Sequence, residues 1–272
     1  MNNIIEIFSY TFMIRALISG ILISLCASLI GVSLVLRKNS MIGDGLSHVG
    51  FGAFSIATIL GLAPLQFAIP IVIIVSFLIL KTNDKNKIQG DARIALISAS
   101  SLAIGTFAIS IAGINVDINN YLFGSILSIN QTDIIISIIL SIVVITLYIF
   151  FYNKIFAITF DEKFAKSIGI KTDTYNIIFS ILWSIVVVVG MRLMGSLLIS
   201  SLIIFPTLSS MQYFKNFKKV VISSTIISIA SFIIGLITSY IYQTPTSATI
   251  VIINLLFFII LKLISFIKNN YL

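Results

Sequence analysis

Residues 37–50 read "RKNSMIGDGLSHVG", and they open a long apolar segment with two basic residues followed by Asp44 and His48. His48 is the only histidine of the chain. If a helix begins near residue 41, the two side chains lie on one face, about one turn apart. Ionisable side chains are costly to keep inside a membrane helix, so both are candidate functional residues.

Two interpretations of this pair stay open from the residues alone. A carboxylate and an imidazole are good ligands for a divalent metal ion, although two ligands are fewer than a transition metal takes. A pore that binds and releases its ion suits such a weak site, and a symmetric dimer would bring two pairs together. The structural alternative makes Asp44 a cap at the helix N-terminus and His48 a hydrogen-bonded core residue.

The composition predicts an all-α integral membrane protein. Of 272 residues, 58% are hydrophobic and only 10% are charged, with a mean hydropathy of +1.15. A soluble domain has about 25% charged residues. The net charge of +8 is spread over short loops, with no basic patch interleaved with aromatic residues, which argues against a nucleic-acid partner. Cys26 is the single cysteine, so no disulfide forms within the chain.

Apolar runs of about 20 residues predict transmembrane helices, and we expect about nine, within a range of eight to ten. The residues form one polytopic domain over 1–272. The predicted spans are residues 8–36, 41–60, 66–80, 94–114, 134–152, 176–190, 193–211, 220–242 and 248–267.

The basic residues predict the orientation of these spans. All 17 Lys and Arg residues except Arg15 and Arg192 fall on one side when the loops are assigned alternately. Positive residues mark the cytoplasmic side, so the N-terminus lies outside and the C-terminus inside. The outer connection at 115–131 contains "YLFGSIL", which can form a short helix that lies in or re-enters the membrane.

Residues 160–170, "FDEKFAKSIGI", predict a short amphipathic helix on the cytoplasmic side. Phe160, Phe164 and Ile168 can share one side, and acidic residues precede the lysines as a helix dipole favours. Such a helix either lies on the membrane surface or docks into a cytoplasmic partner.

Residues 194–210, "MGSLLISSLIIFPTLSS", place Pro206 inside an apolar run. Proline removes a backbone hydrogen bond, so we expect a kink that is either structural or part of a gate, with Gly195 at its start. Arg192 is expected to be an interfacial anchor. The chain contains neither "GxxxxGK[ST]" nor "HExxH", so we expect it not to be an enzyme.

Five segments together resemble the permease subunit of ATP-binding-cassette importers for manganese, zinc and ferrous iron. They follow that family's order from about residue 37 to 252. They read "GDGLSHVGFG" (43–52), "VDINNYLFGSILSIN" (116–130), "FDEKFAKSIGI" (160–170), "GSLLISSLIIFPTLSS" (195–210) and "GLITSYIYQTPTSATIV" (235–251).

The resemblance implies a permease like those of type II ABC importers and assigns roles by position. Asp44 and His48 match the residues thought to contact the translocating cation. A cytoplasmic coupling helix at about 159–170 would dock on the ATPase. Its matching residues are Asp161, Glu162, Phe164, Ala165 and Gly169, and the other motif positions are Gly43, Ser47, Asp117, Tyr121, Gly124 and Pro245.

The resemblance also implies partners and a location. The partners are a second copy of the permease, cytoplasmic ABC ATPase subunits and an extracellular metal-binding lipoprotein, in a bacterial cytoplasmic membrane. Mn²⁺, Zn²⁺ or Fe²⁺ would be cargo, with no permanently bound cofactor. The alternative is a stand-alone carrier driven by protons or sodium, with His48 as its ion site. Such carriers usually keep several carboxylates near the midplane, and here Asp44 stands without another.

Overall fold

The computed structural model describes residues 10–81, 90–113, 118–124 and 129–271, and within them every regular element is a helix. The predicted all-helical fold is therefore confirmed. In chain order the helices are α1 (Thr11–Leu36), α2 (Ile42–Ile59), α3 (Pro64–Lys81), α4 (Gly90–Ala112), α5 (Ile118–Phe123), α6 (Gln131–Phe150), α7 (Tyr152–Phe160), α8 (Glu162–Ser167), α9 (Thr172–Met194), α10 (Ser196–Tyr213), α11 (Phe217–Tyr242) and α12 (Thr246–Tyr271).

Seven helices in the described part of the chain are long and apolar enough to cross a membrane: α1, α4, α6, α9, α10, α11 and α12. Helix α3 is apolar but shorter, over Pro64–Leu80. Helix α2 is not among the seven, and it is the helix that carries Asp44 and His48. The seven helices together with α2 and α3 coincide with the nine predicted segments, whose number and direction as spans stay predictions.

Helix α9 extends beyond both ends of the predicted segment 176–190. Polar side chains near both of its ends have partners elsewhere in the fold. Asn176 hydrogen-bonds Arg37, and Arg192 pairs with Asp133. Local hydropathy does not report such contacts, because their partners lie on other helices.

Two of the seven apolar helices lie mostly inside the bundle and two at its rim. The apolar windows of α1 and α9 are 67% and 72% buried, whereas those of α4 and α12 are each 11% buried. Helix α1 packs against α6, α10 and α11, and α4 packs chiefly against α2. Helix α2 is thereby held between α4 and the inner helices α9 and α10.

Glycines let α2 and α4 approach closely. A Cβ built on Gly52 would lie 2.8 Å from the carbonyl oxygen of Ser101, and one on Gly105 would lie 3.0 Å from the Gly52 Cα. Small residues at helix contacts of this kind are typical of membrane proteins. Helix α2 also runs without interruption through "GFG" at 50–52.

A second close contact joins α5 to the α9–α10 junction. Gly124 and Gly195 both have positive φ, at 69° and 88°. A Cβ on Gly124 would lie 2.3 Å from the Met194 carbonyl carbon, and one on Gly195 2.4 Å from the Leu122 oxygen. Ser247 at the start of α12 donates hydrogen bonds to the carbonyls of Met194, at 2.8 Å, and Phe123. These contacts hold α5 against the bundle, and whether this connection lies in or re-enters the membrane stays a prediction.

Candidate functional site

Asp44 and His48 form an open strip on the part of α2, residues 42–53, that is otherwise buried. Of residues 42–53, all of which the structure describes, they are the only two that are not buried. The Asp44 side chain is 40% exposed and that of His48 is 19% exposed. Both side chains are therefore accessible from outside the packed bundle, although their helix is held on several sides.

The Asp44 carboxylate has partners on two helices. Its Oδ2 lies 3.6 Å from Nε2 of His48, and its Oδ1 accepts a hydrogen bond from Oγ of Ser200 on α10 at 3.2 Å. Asp44 sits in the first turn of α2, where its charge also suits the helix dipole. The carboxylate therefore faces His48 and Ser200, and the ligand and capping interpretations both stay predictions.

Tyr121 approaches His48 from the other side of the imidazole. Its hydroxyl lies 3.2 Å from Nδ1 of His48, and its ring packs against that of Phe51 at a tilt of 42°, with centroids 4.3 Å apart. A metal-binding histidine usually gives its second ring nitrogen to a hydrogen-bond partner, which fixes the ring orientation. Tyr121 occupies that position here and leaves Nε2 facing Asp44.

The neighbouring motif residues Gly43 and Ser47 are buried against the bundle. A Cβ on Gly43 would lie 2.9 Å from Cδ1 of Ile203 on α10, so glycine allows α2 and α10 to meet at this level. Ser47 donates a hydrogen bond to the backbone oxygen of Asp44 at 2.7 Å. Both positions shape the helix that presents the acidic side chain.

The spacing of the pair fits one bridging cation. Two donor atoms bound at about 2.1 Å in a tetrahedral site lie about 3.4 Å apart. The observed 3.6 Å between Oδ2 and Nε2 therefore needs almost no adjustment. Within the described residues, no group of three or more His, Cys, Asp or Glu side chains assembles. The pair alone would therefore supply only part of a coordination sphere.

The predicted docking segment forms a short capped helix with an exposed apolar side chain. Asp161 is the N-cap of α8, and its Oδ1 accepts a hydrogen bond from the Phe164 amide at 2.9 Å. Phe164 is 58% exposed, whereas Ala165 is buried. Gly169 ends the segment at φ 87°, and the Ile170 amide returns to the Ala165 oxygen at 3.1 Å.

The remaining predicted positions lie elsewhere. Pro206 is buried inside α10, which runs unbroken around it, so its role in a gate stays a prediction. Pro245 precedes α12 and accepts a hydrogen bond from the Thr249 amide at 3.0 Å. Asp117 lies outside the described residues.

Asp133 and Arg192 form an ion pair between α6 and α9. Arg192 Nη1 lies 3.1 Å from Asp133 Oδ1, and the Asp133 side chain is only 5% exposed. Asp133 also accepts a hydrogen bond from the Asn130 amide at 3.1 Å as part of a capping box. This carboxylate is therefore fully engaged in joining helices.

The sequence did not reveal the contacts of Ser200 and Tyr121 with the pair. Ser200 lies 156 residues from Asp44, and Tyr121 lies 73 residues from His48. Tyr121 was singled out only as a motif position. No spacing rule links residues so far apart in sequence, and only the packing of α5 and α10 against α2 brings them together.

The profile of the ABC 3 transport family matches residues 9–265. The manganese import system permease protein ScaB of Streptococcus gordonii is 29% identical over 251 residues, covering 92% of this chain and 90% of that protein. The high-affinity zinc uptake system membrane protein ZnuB of Haemophilus influenzae is 29% identical over 246 residues, covering 90% and 94% respectively.

Solved structures agree with the fold. PsaBC from Streptococcus pneumoniae in complex with Fab contains a chain with a TM-score of 0.84 and 27% identity, and the match covers 95% of each chain. An inward-facing putative metal-chelate type ABC transporter gives a TM-score of 0.70 at 15% identity, covering 92% of this chain and 85% of that one. The second likeness concerns the fold alone.

Proposed function

Because the chain belongs to the ABC 3 transport family, we propose that it is the membrane-spanning permease subunit of an importer for a divalent transition metal ion. It is a multi-pass protein of the cytoplasmic membrane. The cargo is Mn²⁺, Zn²⁺ or Fe²⁺, delivered by an extracellular binding protein, and separate ATPase subunits supply the energy. The observation that carries the proposal is the Asp44–His48 pair, with its 3.6 Å spacing on the open strip of α2.

The proposed topology has nine spans, with the N-terminus outside and the C-terminus inside. The seven long apolar helices supply most of them, and α2 and α3 complete the set. The distribution of Lys and Arg over the loops supports this direction. Helix α2 then begins at the cytoplasmic side, so Asp44 and His48 lie on the inner half of that span.

The cation pathway is proposed to pass the open strip of α2. Two donor atoms hold a cation weakly, which suits an ion that must leave again. Further ligands come from water or from a second permease copy, whose own pair would face the first across a dimer axis. The 40% exposure of the Asp44 side chain supports an arrangement in which this face meets the pathway.

The ATPase is proposed to dock on α8. Phe164 offers an apolar anchor at 58% exposure, and lysines surround it. An apolar anchor with a charged rim is the usual composition of a docking surface. The capping by Asp161 makes α8 a defined helix before any partner binds.

The alternative, a stand-alone secondary carrier, receives less support from the geometry. It needs intramembrane carboxylates that bind and release protons or sodium. The Asp133 carboxylate is paired with Arg192 and accepts a hydrogen bond from the backbone amide of Asn130. It is therefore not available to bind and release protons or sodium.

Reconstitution separates these functions directly. The purified chain, its ATPase and its binding protein are placed in proteoliposomes, and uptake of radioactive Mn²⁺, Zn²⁺ and Fe²⁺ is followed with and without ATP. We expect uptake only with ATP, and competition among the three metals identifies the cargo. Uptake by the chain without the ATPase, driven by a proton or sodium gradient, would contradict the proposal.

A further inference from the structure

A buried arginine lies where α1 ends and the connection to α2 begins. Arg37 is the C-cap residue of α1, and its side chain is only 7% exposed. A guanidinium this well buried is costly unless charged or polar groups surround it. Burial lowers the pKa of Arg37, and the charge of Glu162 counters that shift. From the sequence, Arg37 was only a marker of the cytoplasmic side.

Three side chains from separate helices form a closed triangle at this point. Arg37 Nη2 lies 3.6 Å from Glu162 Oε2 and donates a hydrogen bond to Asn176 Oδ1 at 2.9 Å. Asn176 Nδ2 in turn donates to Glu162 Oε1 at 2.7 Å. The Arg37 guanidinium also lies over the ring of Phe179, 5.7 Å from its centroid. We call Arg37, Glu162 and Asn176 the cytoplasmic triangle.

The cytoplasmic triangle joins the docking helix to the membrane bundle. Glu162 is the first residue of α8, Asn176 lies in the second turn of α9, and Arg37 ends α1. Chain connectivity also links α8 to α9, through residues 168–171. The cytoplasmic triangle also connects α8 to the end of α1 and to the connection that leads to α2, elements that are not adjacent to α8 in sequence.

The connection from Arg37 to α2 is short and tied by backbone hydrogen bonds. The Asn39 amide donates to the Leu34 oxygen at 2.9 Å, and the Ile42 amide donates to the Asn39 oxygen at 3.0 Å. Helix α2 then begins at Ile42, and Asp44 lies in its first turn. A displacement of Arg37 is therefore carried into the start of the helix that presents Asp44.

We propose that Arg37 is a positioning residue that, through Glu162, couples movement of α8 to the start of α2. This inference rests on the proposed docking of an ATPase at α8. The Arg37–Glu162 ion pair suits this coupling because its two partners differ in burial. The buried guanidinium of Arg37 stays with α1, and the half-exposed Glu162 moves with α8. The consequence is a direct route from the ATPase to the metal-contacting pair that bypasses the chain between α8 and α9.

The test compares transport with ATP hydrolysis in the reconstituted complex of permease, ATPase and binding protein. The measured quantity is the amount of metal imported per ATP hydrolysed. Arg37→Gln and Glu162→Gln should each lower this ratio by about fivefold, the upper end of the effect of losing a partly exposed ion pair. The double variant should be no worse than either single variant, because both remove the same contact. Lys38→Gln, an exposed neighbour, is the matched control and should keep the wild-type ratio.

A purely structural contact would lower complex yield or thermal stability while leaving the ratio of transport to hydrolysis unchanged. An unchanged ratio in intact Arg37→Gln and Glu162→Gln complexes would therefore overturn the proposal. If Arg37→Gln does not assemble, Glu162→Gln carries the test, because its side chain is 48% exposed. Absence of ATP-dependent uptake by the wild-type complex would instead refute the proposed function and the coupling role with it.

Discussion

The hydroxyl of Tyr121 lies 3.2 Å from Nδ1 of His48, while Nε2 of the same ring faces Asp44 at 3.6 Å. The imidazole is thus held from one side and presented to the carboxylate on the other. Because Tyr121 comes from α5, its position depends on the packing of that short helix against the α9–α10 junction. Three distant parts of the chain therefore determine the orientation of one histidine.

Removal of the Tyr121 hydroxyl should weaken the contact with metal. Tyr121→Phe keeps the ring against Phe51 but loses the hydrogen bond to His48. Loss of such a supporting hydrogen bond usually costs about 10–100-fold in metal affinity or activity. Initial uptake rates over a range of metal concentrations measure the effect. The exposed Tyr242→Phe is the control, and equal behaviour of the two variants would contradict the orienting role.

Ser200 should have a smaller effect on the same site. Ser200→Ala removes the 3.2 Å hydrogen bond to Asp44, which is worth about 1 kcal/mol or about fivefold in apparent metal affinity. The metal concentration that gives half-maximal uptake should rise by the same factor. Thr238→Ala loses only a bond to its own helix at Ile234 and should leave half-saturation unchanged. An unaltered value for Ser200→Ala would show that the bond does not support the carboxylate.

The Gly124–Gly195 contact should govern stability. Gly195→Ala meets both the strain of a positive φ, about 1–3 kcal/mol, and overlap with the Leu122 oxygen at 2.4 Å. Gly61 also has a positive φ, at 66°, but a Cβ there has nothing within 4 Å, so Gly61→Ala meets strain alone. The melting temperature of purified protein should fall much further for Gly195→Ala. Equal falls would mean that α5 does not pack here as described.

The Asp133–Arg192 pair should matter for stability and not for transport. Asp133→Ala removes the acidic half of the capping box with Asn130 and leaves Arg192 without its partner, a loss of about 1–3 kcal/mol. We expect a lower melting temperature with normal ATP-dependent uptake per folded complex. Asp91→Ala in the first turn of α4 is the control. A selective loss of uptake at normal stability would show instead that this carboxylate takes part in transport.

Much of the fold was predictable from apolar runs and loop charges, because membrane helices can be recognised from their local composition. Asp44 and His48 were also predictable as a pair, since four residues in a helix place them on one face. The contacts of Asn176 and Arg192 on α9 were not, because their partners Arg37 and Asp133 lie far from them in sequence. The same limit hid the cytoplasmic triangle, whose members come from three separate helices.

Short-range patterns also defined the docking segment better than its surroundings. The apolar spacing and the order of the charges predicted a short helix, and the structure adds Asp161 as its N-cap, with a hydrogen bond from the Phe164 amide. The attachment of this segment to α1 through Glu162 depends on the position of Arg37 in the folded protein. Periodicity within "FDEKFAKSIGI" contains no information about that attachment.

The most direct test of the account is metal uptake by Asp44→Asn and His48→Gln in the reconstituted complex. Each variant removes one proposed ligand while keeping side-chain size, and Asp91→Asn is a matched control on another helix. We predict that both site variants assemble with the ATPase at normal yield and lose most of their ATP-dependent uptake of radioactive metal, while the control transports normally. Wild-type uptake by both site variants would contradict the assignment of this pair to the cation pathway.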